Sequence, residues 1–388
     1  MNDGGEGSGA RDADRGSGRE GERSARDRLA TALTRRRLTI AGTILVLVGL
    51  LVALRGIDLR TVVAEISSAD PFVIGAAVAV YVASWPLRGR RYGDVLAAMG
   101  YRGGTVVPTL AVFVSQTANL AIPARAGDAV RAYVMRTHRD VPYAAGFASL
   151  AVERVFDLAT IAALAGLATG WLTLGGGTGP LEIVSAAGGA RTALVAAAAV
   201  STATAGVGIV VVTSARADHG LGAWLLTRAD GRPQLAGALE AGLRFAGDVQ
   251  IVARQPKAIA AIGVGSLLVW VLDVLTAVLV LAALGSGLAI GPLLAVGTLA
   301  VSVGNLAKVL PLSQGGVGLY EAAFTALVVG LTPIGASTAL AAAIVDHALK
   351  NGVTLVGGGG AVASLGLSIS AVTAESGDAE DRQAFRRA

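Results

Sequence analysis

Apolar residues in this chain are gathered into long blocks, and polar residues fill the gaps between them. Residues 1–37 form a polar tail. From Met1 to Arg28 it is Gly, Ser, Asp, Glu and Arg with almost no apolar residue, which predicts disorder. It does not read as a secretory signal, because the apolar block comes too late and no small-residue cleavage site follows. Arg35, Arg36 and Arg37 abut Leu38–Leu54, a run of spanning length at about 17 residues. Basic residues beside a first span place the N-terminus in the cytoplasm. Pro71–Leu87 is a second spanning run, and Arg88, Arg90, Arg91 and Arg102 after it read as a cytoplasmic flank.

Thr105–Ala124 is apolar but carries Pro108, Ser115, Gln116 and Asn119, and Arg125, Arg131, Arg136 and Arg139 follow it. A simple span would put this second basic cluster outside. A segment that dips in and returns keeps both clusters in the cytoplasm, so a re-entrant or broken helix is predicted, enclosed by protein or a water-filled cavity. Ala144–Leu174 and Thr192–Val212 span again. Residues 214–257 are a long, net basic, cytoplasmic connection, where Leu235, Leu239, Leu243 and Phe245 suggest an amphipathic interfacial helix. Ala258–Leu284 spans. Leu288–Leu310 ends in a Pro/Gly interruption, Ala322–Leu331 is too short to span alone, and Ala336–Val372 is too long for one untilted span. The pattern predicts an all-α, polytopic membrane protein. Its membrane domain covers 38–373 with about eight membrane segments, between the tail at 1–37 and a polar C-terminal tail at 374–388.

Composition agrees. Hydrophobic residues make up 53% and charged residues 15%, with mean hydropathy +0.64. A soluble domain carries roughly 25% charged residues. The 53 glycines favour close-packed helices. The net charge of +5 and pI near 9.9 sit at the chain ends and between apolar blocks, and aromatics are 4%. That placement is membrane topology and argues against nucleic acid. There is no Cys and there are three His, so neither a metal centre nor a cofactor is expected.

An ionisable residue near the bilayer centre costs at least about 2.5–3.5 kcal/mol on insertion scales. Four clusters therefore need an explanation. In Asn119-Leu-Ala-Ile-Pro-Ala-Arg-Ala-Gly-Asp-Ala-Val-Arg131, Pro123 and Gly127 interrupt the helix. There Arg125, Arg131 and freed backbone N–H groups suit a phosphate, with Asp128 beside them. A cytoplasmic loop with positive-inside arginines is the competing reading. Glu153, Arg154 and Asp157 form a ladder that either lowers the insertion cost or supplies counter-charge to those arginines. In Asn305 to Glu321, Pro311, Gly315, Gly316 and Gly318 break an apolar run flanked by Lys308 and Glu321, the pattern of a transporter site on a broken helix. Asp346 and Lys350 have the acid-first i,i+4 order of a buried pair or a polar pathway. Asp273 is an embedded acid, either a proton-titrating group or a partner for Lys308. Val114-Ser115…Asn119-Leu-Ala and Val301-Ser302…Asn305-Leu-Ala, each followed by Pro and Gly, read as an internal repeat. The repeat is inverted if the two stretches dip in from opposite sides. Chance similarity is the competing reading.

The ordered motifs Asn119…Pro-Ala-Arg-Ala-Gly-Asp-Ala-Val-Arg131, Glu153-Arg-Val-Phe-Asp157 and Leu310-Pro-Leu-Ser-Gln-Gly-Gly-Val-Gly-Leu-Tyr-Glu321 resemble the lysylphosphatidylglycerol synthase transmembrane-region family, also called flippase-like domain proteins. The resemblance covers about residues 38–372. It departs mildly at Gln314, where the family often has Pro, and at Tyr92, where Arg91 would be followed by Trp. The family's best-known members fuse this region to an aminoacyl transferase and others to glycosyltransferases, while many stand alone. Neither the tail nor the 214–257 loop is long enough for such an enzyme. The resemblance implies a non-enzymatic, multi-pass cell-membrane protein. It would move, or help move, an anionic phospholipid or lipid-linked head group between leaflets. The alternative is a scaffold for a separately encoded lipid-modifying enzyme or glycosyltransferase. The partners expected are membrane lipids and such an enzyme.

Overall fold

The computed structural model describes residues 58–121, 127–176, 247, 249–308 and 314–367. The expected spans Leu38–Leu54 and Thr192–Val212, the interfacial helix near 235–245, both tails, Pro123, Arg125 and Pro311 lie outside them.

Among the described residues the chain is helical. The elements are α1 (Leu59–Ser68), α2 (Pro71–Ala98), α3 (Val106–Ala121), α4 (Gly127–Arg139), α5 (Tyr143–Gly176), α6 (Pro256–Ala283), α7 (Ile290–Ala307), a 3₁₀ turn (Gln314–Gly316), α8 (Leu319–Leu331) and α9 (Ala336–Ser364). Five of these, α2, α5, α6, α7 and α9, are long and apolar enough to cross a membrane. The starts of α2 and α6 follow one rule: a proline at the first turn, where its missing N–H costs nothing. Asp70 also caps α2, accepting from Phe72 N–H at 2.8 Å.

The expected internal repeat is visible in helix lengths. The series α2, α3, α4, α5 runs 28, 16, 13 and 34 residues, and α6, α7, α8, α9 runs 28, 18, 13 and 29. The repeat is inverted. The paired long helices α2 and α6 pack antiparallel, with Asp70 N–H donating to Ala283 O at 2.9 Å at one end and Gln255 Nε2 to Ala98 O at 2.7 Å at the other. A helix and its counterpart running in opposite directions are what a two-fold relation between the halves produces.

Each half contains a hairpin whose helices are shorter than the long helices that flank it. Tyr101, Pro142, Gln250 and Arg254 line one recess, so the end of α2, the α4–α5 turn and the approach to α6 share one end of the molecule. The α3–α4 hairpin enters and leaves there. Its helices of 16 and 13 residues reach about 24 and 20 Å at 1.5 Å per residue, short of a 30 Å hydrocarbon core. The α7–α8 hairpin starts at the opposite end, where Gly291 packs on Trp171 of α5, and finishes beside Thr338, which donates to Glu65 of α1 at 3.1 Å. The two tips meet in the middle, where a Cβ on Gly315 would lie 2.9 Å from Leu120 Cδ2.

Small residues set these contacts. A Cβ on Gly93 would fall 2.0 Å from Gly104 O, one on Gly357 2.0 Å from the Phe113 ring, and one on Gly304 2.7 Å from Tyr320. Close backbone approach of this kind is how helices associate where no water drives burial. Phe72, Leu167, Trp171, Leu174, Val264, Leu267, Leu268 and Val356 are exposed, which is the apolar exterior expected of a lipid-facing bundle.

One expectation is corrected. Arg88 and Arg91 were read as a flank after a span ending at Leu87, but α2 continues to Ala98 and both side chains turn into the bundle. Arg90, on the other face, stays in the flank and pairs with Asp94 at 3.2 Å.

Candidate functional site

The ionisable residues of the apolar segments gather into two networks beside the hairpin tips. In the first half, Glu153 of α5 lies between two guanidinium groups. Its Oε1 accepts from Arg91 at 3.1 Å and its Oε2 from Arg131. Arg91 also donates to Asp157 at 2.5 Å and to Ser266 of α6 at 2.9 Å, and Trp270 Nε1 donates to Asp157 at 2.9 Å. The Arg131 guanidinium stacks on Tyr92, 4.6 Å from the ring centroid. At the tip, Asn119 Oδ1 accepts from Gly127 N–H at 2.9 Å, its amide donates to Asp128 at 3.4 Å, and Arg154 stands 3.7 Å from Asp128. The sequence-predicted set Asn119, Gly127, Asp128, Arg131, Glu153, Arg154 and Asp157 is thus brought together. Glu153 and Asp128 supply the counter-charge, to Arg131 and Arg154.

The second network is built from the same places in the repeat. Glu153, Arg154 and Asp157 are the eleventh, twelfth and fifteenth residues of α5, and Asp346, His347 and Lys350 hold those places in α9. Lys350 Nζ lies 3.0 Å from both Asp346 and Asp273 of α6. Tyr320 OH donates to Asp346 at 2.5 Å. His347 Nδ1 stands 2.6 Å from Glu321 Oε1, and Nε2 stands 3.2 Å from Gly315 O. Glu321 Oε2 accepts from Gly318 N–H at 2.6 Å, closing the first turn of α8. Gly315, Gly316 and Gly318 all have positive φ (61°, 75° and 86°), a run of left-handed backbone that only glycine adopts freely. Asn305 sits third from the end of α7, as Asn119 does in α3, and its amide donates to Val301 O at 2.9 Å and to Asp273 at 3.4 Å.

Between the networks, Arg88 Nη2 reaches Asp273 at 3.4 Å. Each is the eighteenth residue of its helix, so this ion pair joins equivalent positions across the two-fold axis.

Lys308 differs from all of these. Among the described residues it has no carboxylate within ion-pair distance. Its ammonium lies over the Tyr320 ring, 4.3 Å from the centroid, and Gly316 packs on its stem. Arg88, Arg91, Arg131, Arg154 and Lys350 each have a carboxylate partner. Asp273 makes its ion pairs with Lys350 and Arg88, and Lys308 acts on it only from beyond ion-pair distance. A cation at a helix break without its own anion can take one from outside.

Sequence reasoning missed Arg88, Arg91 and Tyr320, and assigned no role to His347. The signal for the arginines was present. Ser84, Arg88 and Arg91 follow i, i+4, i+7 along one helix face, and Arg88 Nε donates to Ser84 at 3.3 Å.

A family model described as lysylphosphatidylglycerol synthase TM region matches residues 39–358. The chain is also 46% identical over 365 residues to Glycosyltransferase AglD of Haloferax volcanii, a match covering 90% of this chain. It spans 58% of that relative's length.

Proposed function

The chain belongs to the lysylphosphatidylglycerol synthase TM region family, and from that premise we propose that it moves an anionic phospholipid or lipid-linked head group between leaflets, leaving the lipid chemically unchanged. The observation that carries this reading is Lys308, an inward-facing cation at a hairpin tip with no carboxylate of its own among the described residues. A phosphate head group would give it a direct ion-pair partner. Inverted halves with hairpins meeting tip to tip fit alternating access, in which one half rocks against the other around a central site. The Arg131–Glu153 and Arg154–Asp128 pairs tie the first hairpin to α5, and His347–Glu321 ties the second to α9. Opening either side breaks one set of ties.

In this reading the end carrying Arg90, Arg102, Arg136, Arg139, Arg254 and Lys257 faces the cytoplasm, and the chain resides in the cell membrane with its N-terminus inside. The test is reconstitution into vesicles with a fluorescent phosphatidylglycerol on the inner leaflet. Wild type exposes the label to an external quencher. Lys308→Met, Arg131→Ala and Glu321→Gln slow that exposure at least tenfold, and rates equal to wild type in all three would sink the residue assignment.

A second reading has one observation in its favour: the relative is named a glycosyltransferase, and this chain matches only part of it. Here the chain anchors a separately encoded lipid-modifying enzyme or glycosyltransferase without transporting anything. Deleting residues 1–34 separates the two readings. Transport unchanged by the deletion supports the first, and loss of enzyme recruitment with an intact membrane domain supports the second.

A further inference from the structure

The ties at the two hairpins occupy matching places but differ in kind. Arg154 faces Asp128 from the twelfth position of α5 and carries a permanent charge. His347 faces Glu321 from the twelfth position of α9, and its charge depends on a proton. Both of its ring nitrogens meet groups that only accept: the Glu321 carboxylate at 2.6 Å and the Gly315 carbonyl at 3.2 Å. An imidazolium donates to both, whereas a neutral imidazole donates to one and leaves its other nitrogen against an oxygen lone pair. The Gly315 carbonyl belongs to the hairpin tip itself, so the proton decides whether the tip is held at one point or two.

Ionisable groups surround this histidine from most of the elements packed around it. Tyr320 and Glu321 face it from α8, and Asp346 and Lys350 share α9. Lys308, at the end of α7, and the His347 ring both approach Tyr320, at 4.3 Å and 4.9 Å from its ring centroid. Asp273 of α6 and Arg88 of α2 complete the network, and α3 carries no ionisable residue. Three cations (Arg88, Lys308, Lys350) balance three carboxylates (Asp273, Glu321, Asp346) when His347 is neutral. Protonation leaves one positive charge over.

We propose that His347 is a proton-binding site coupled to anion occupancy at Lys308. The proton enters from water as a phosphate head group binds, and its departure weakens the anion and frees one of the two hydrogen bonds on the tip. This rests on the transport reading above and adds its coupling ion, a proton that travels with the anion.

His138, His219 and His347 are the three histidines, so a full chain with His138→Gln and His219→Gln has one imidazole to observe. With ¹⁵N-labelled histidine in detergent micelles, saturating dioctanoylphosphatidylglycerol raises the His347 titration midpoint by about one pH unit. By reciprocity that is about a tenfold weaker anion affinity above the midpoint. Inorganic phosphate in place of the lipid tells whether the phosphate alone suffices, and a shift with either anion supports the coupling. Zwitterionic dioctanoylphosphatidylcholine leaves the midpoint in place, as does phosphatidylglycerol with Lys308→Met. A midpoint unmoved by both anions, or moved equally by phosphatidylcholine, overturns the proposal. In vesicles, wild-type phosphatidylglycerol movement depends on pH. His347→Arg, which copies the tie of the first half, makes it flat, and a pH dependence that survives this change also counts against the proposal. The two failures are distinct. Lipid movement with an unmoved midpoint sinks the coupling alone, whereas a shifted midpoint without lipid movement sinks the transport reading alone.

Discussion

In the first half of the molecule a carboxylate, Glu153, sits between two guanidinium groups. In the second, Asp346 occupies the same place between a phenol and an ammonium. The scaffolds match in helix order, in the hairpin and in the asparagine near its tip. The chemistry laid on them does not. The first half uses arginines, each held by a carboxylate or by two, and the second uses Lys350, His347 and the unmatched Lys308. Guanidinium fixes a geometry through its planar fork, whereas ammonium and imidazole are point-like or titratable. One architecture thus carries a firmly tied hairpin and one whose ties can change.

The comparison breaks most visibly at Glu153. Glu153→Gln leaves Arg91 and Arg131 buried without their shared counter-charge and costs about 3–5 kcal/mol, seen as a fall in the unfolding midpoint in detergent. Next comes the packing of each long helix on its hairpin. Gly93→Ala drives a Cβ into the backbone oxygen of Gly104 and costs about 1–3 kcal/mol, whereas Gly297→Ala meets the Val278 side chain at 2.7 Å and costs less. Gly75→Ala, with open space around it, is the control and stays within about 0.5 kcal/mol. Lys308→Met sharpens the contrast from the other side. It orphans no carboxylate among the described residues, so stability falls by only about 0.5–1 kcal/mol from the lost contact with Tyr320, while transport of anionic lipid collapses. The smallest effect is at the surface: Arg90→Ala removes an exposed i,i+4 pair with Asp94 and changes stability by about 0.3–0.5 kcal/mol, seen as a small shift of the same unfolding midpoint.

Much of this was legible in the chain because lipid makes polar residues conspicuous. Asn119, Asp128 and Arg131, or Lys308, Gly315 and Glu321, interrupt runs that otherwise have no reason to be interrupted. The Asp346–Lys350 pair followed from helical spacing alone, and the repeat from two short polar signatures. Arg88 and Arg91 were hidden by the same logic. Arginines that close an apolar run look like the edge of a membrane, and only the continuation of α2 to Ala98 shows that they lie within the helix. The partner of Asp273 was not readable either. It depends on how α6 and α9 are rotated about each other, which spacing within one helix cannot reveal. Tyr320 and His347 gave no signal by type, since an aromatic or a lone histidine in an apolar segment is ordinarily packing.

The Arg88–Asp273 pair has a consequence for what the two halves can be. A residue on the two-fold axis of a symmetric pair of identical chains faces its own copy, so arginine would meet arginine and aspartate would meet aspartate. Opposite charges at that spot are open only to halves whose sequences can differ residue by residue. Two unlike halves carried on one chain therefore permit a bond that no pair of identical chains could make.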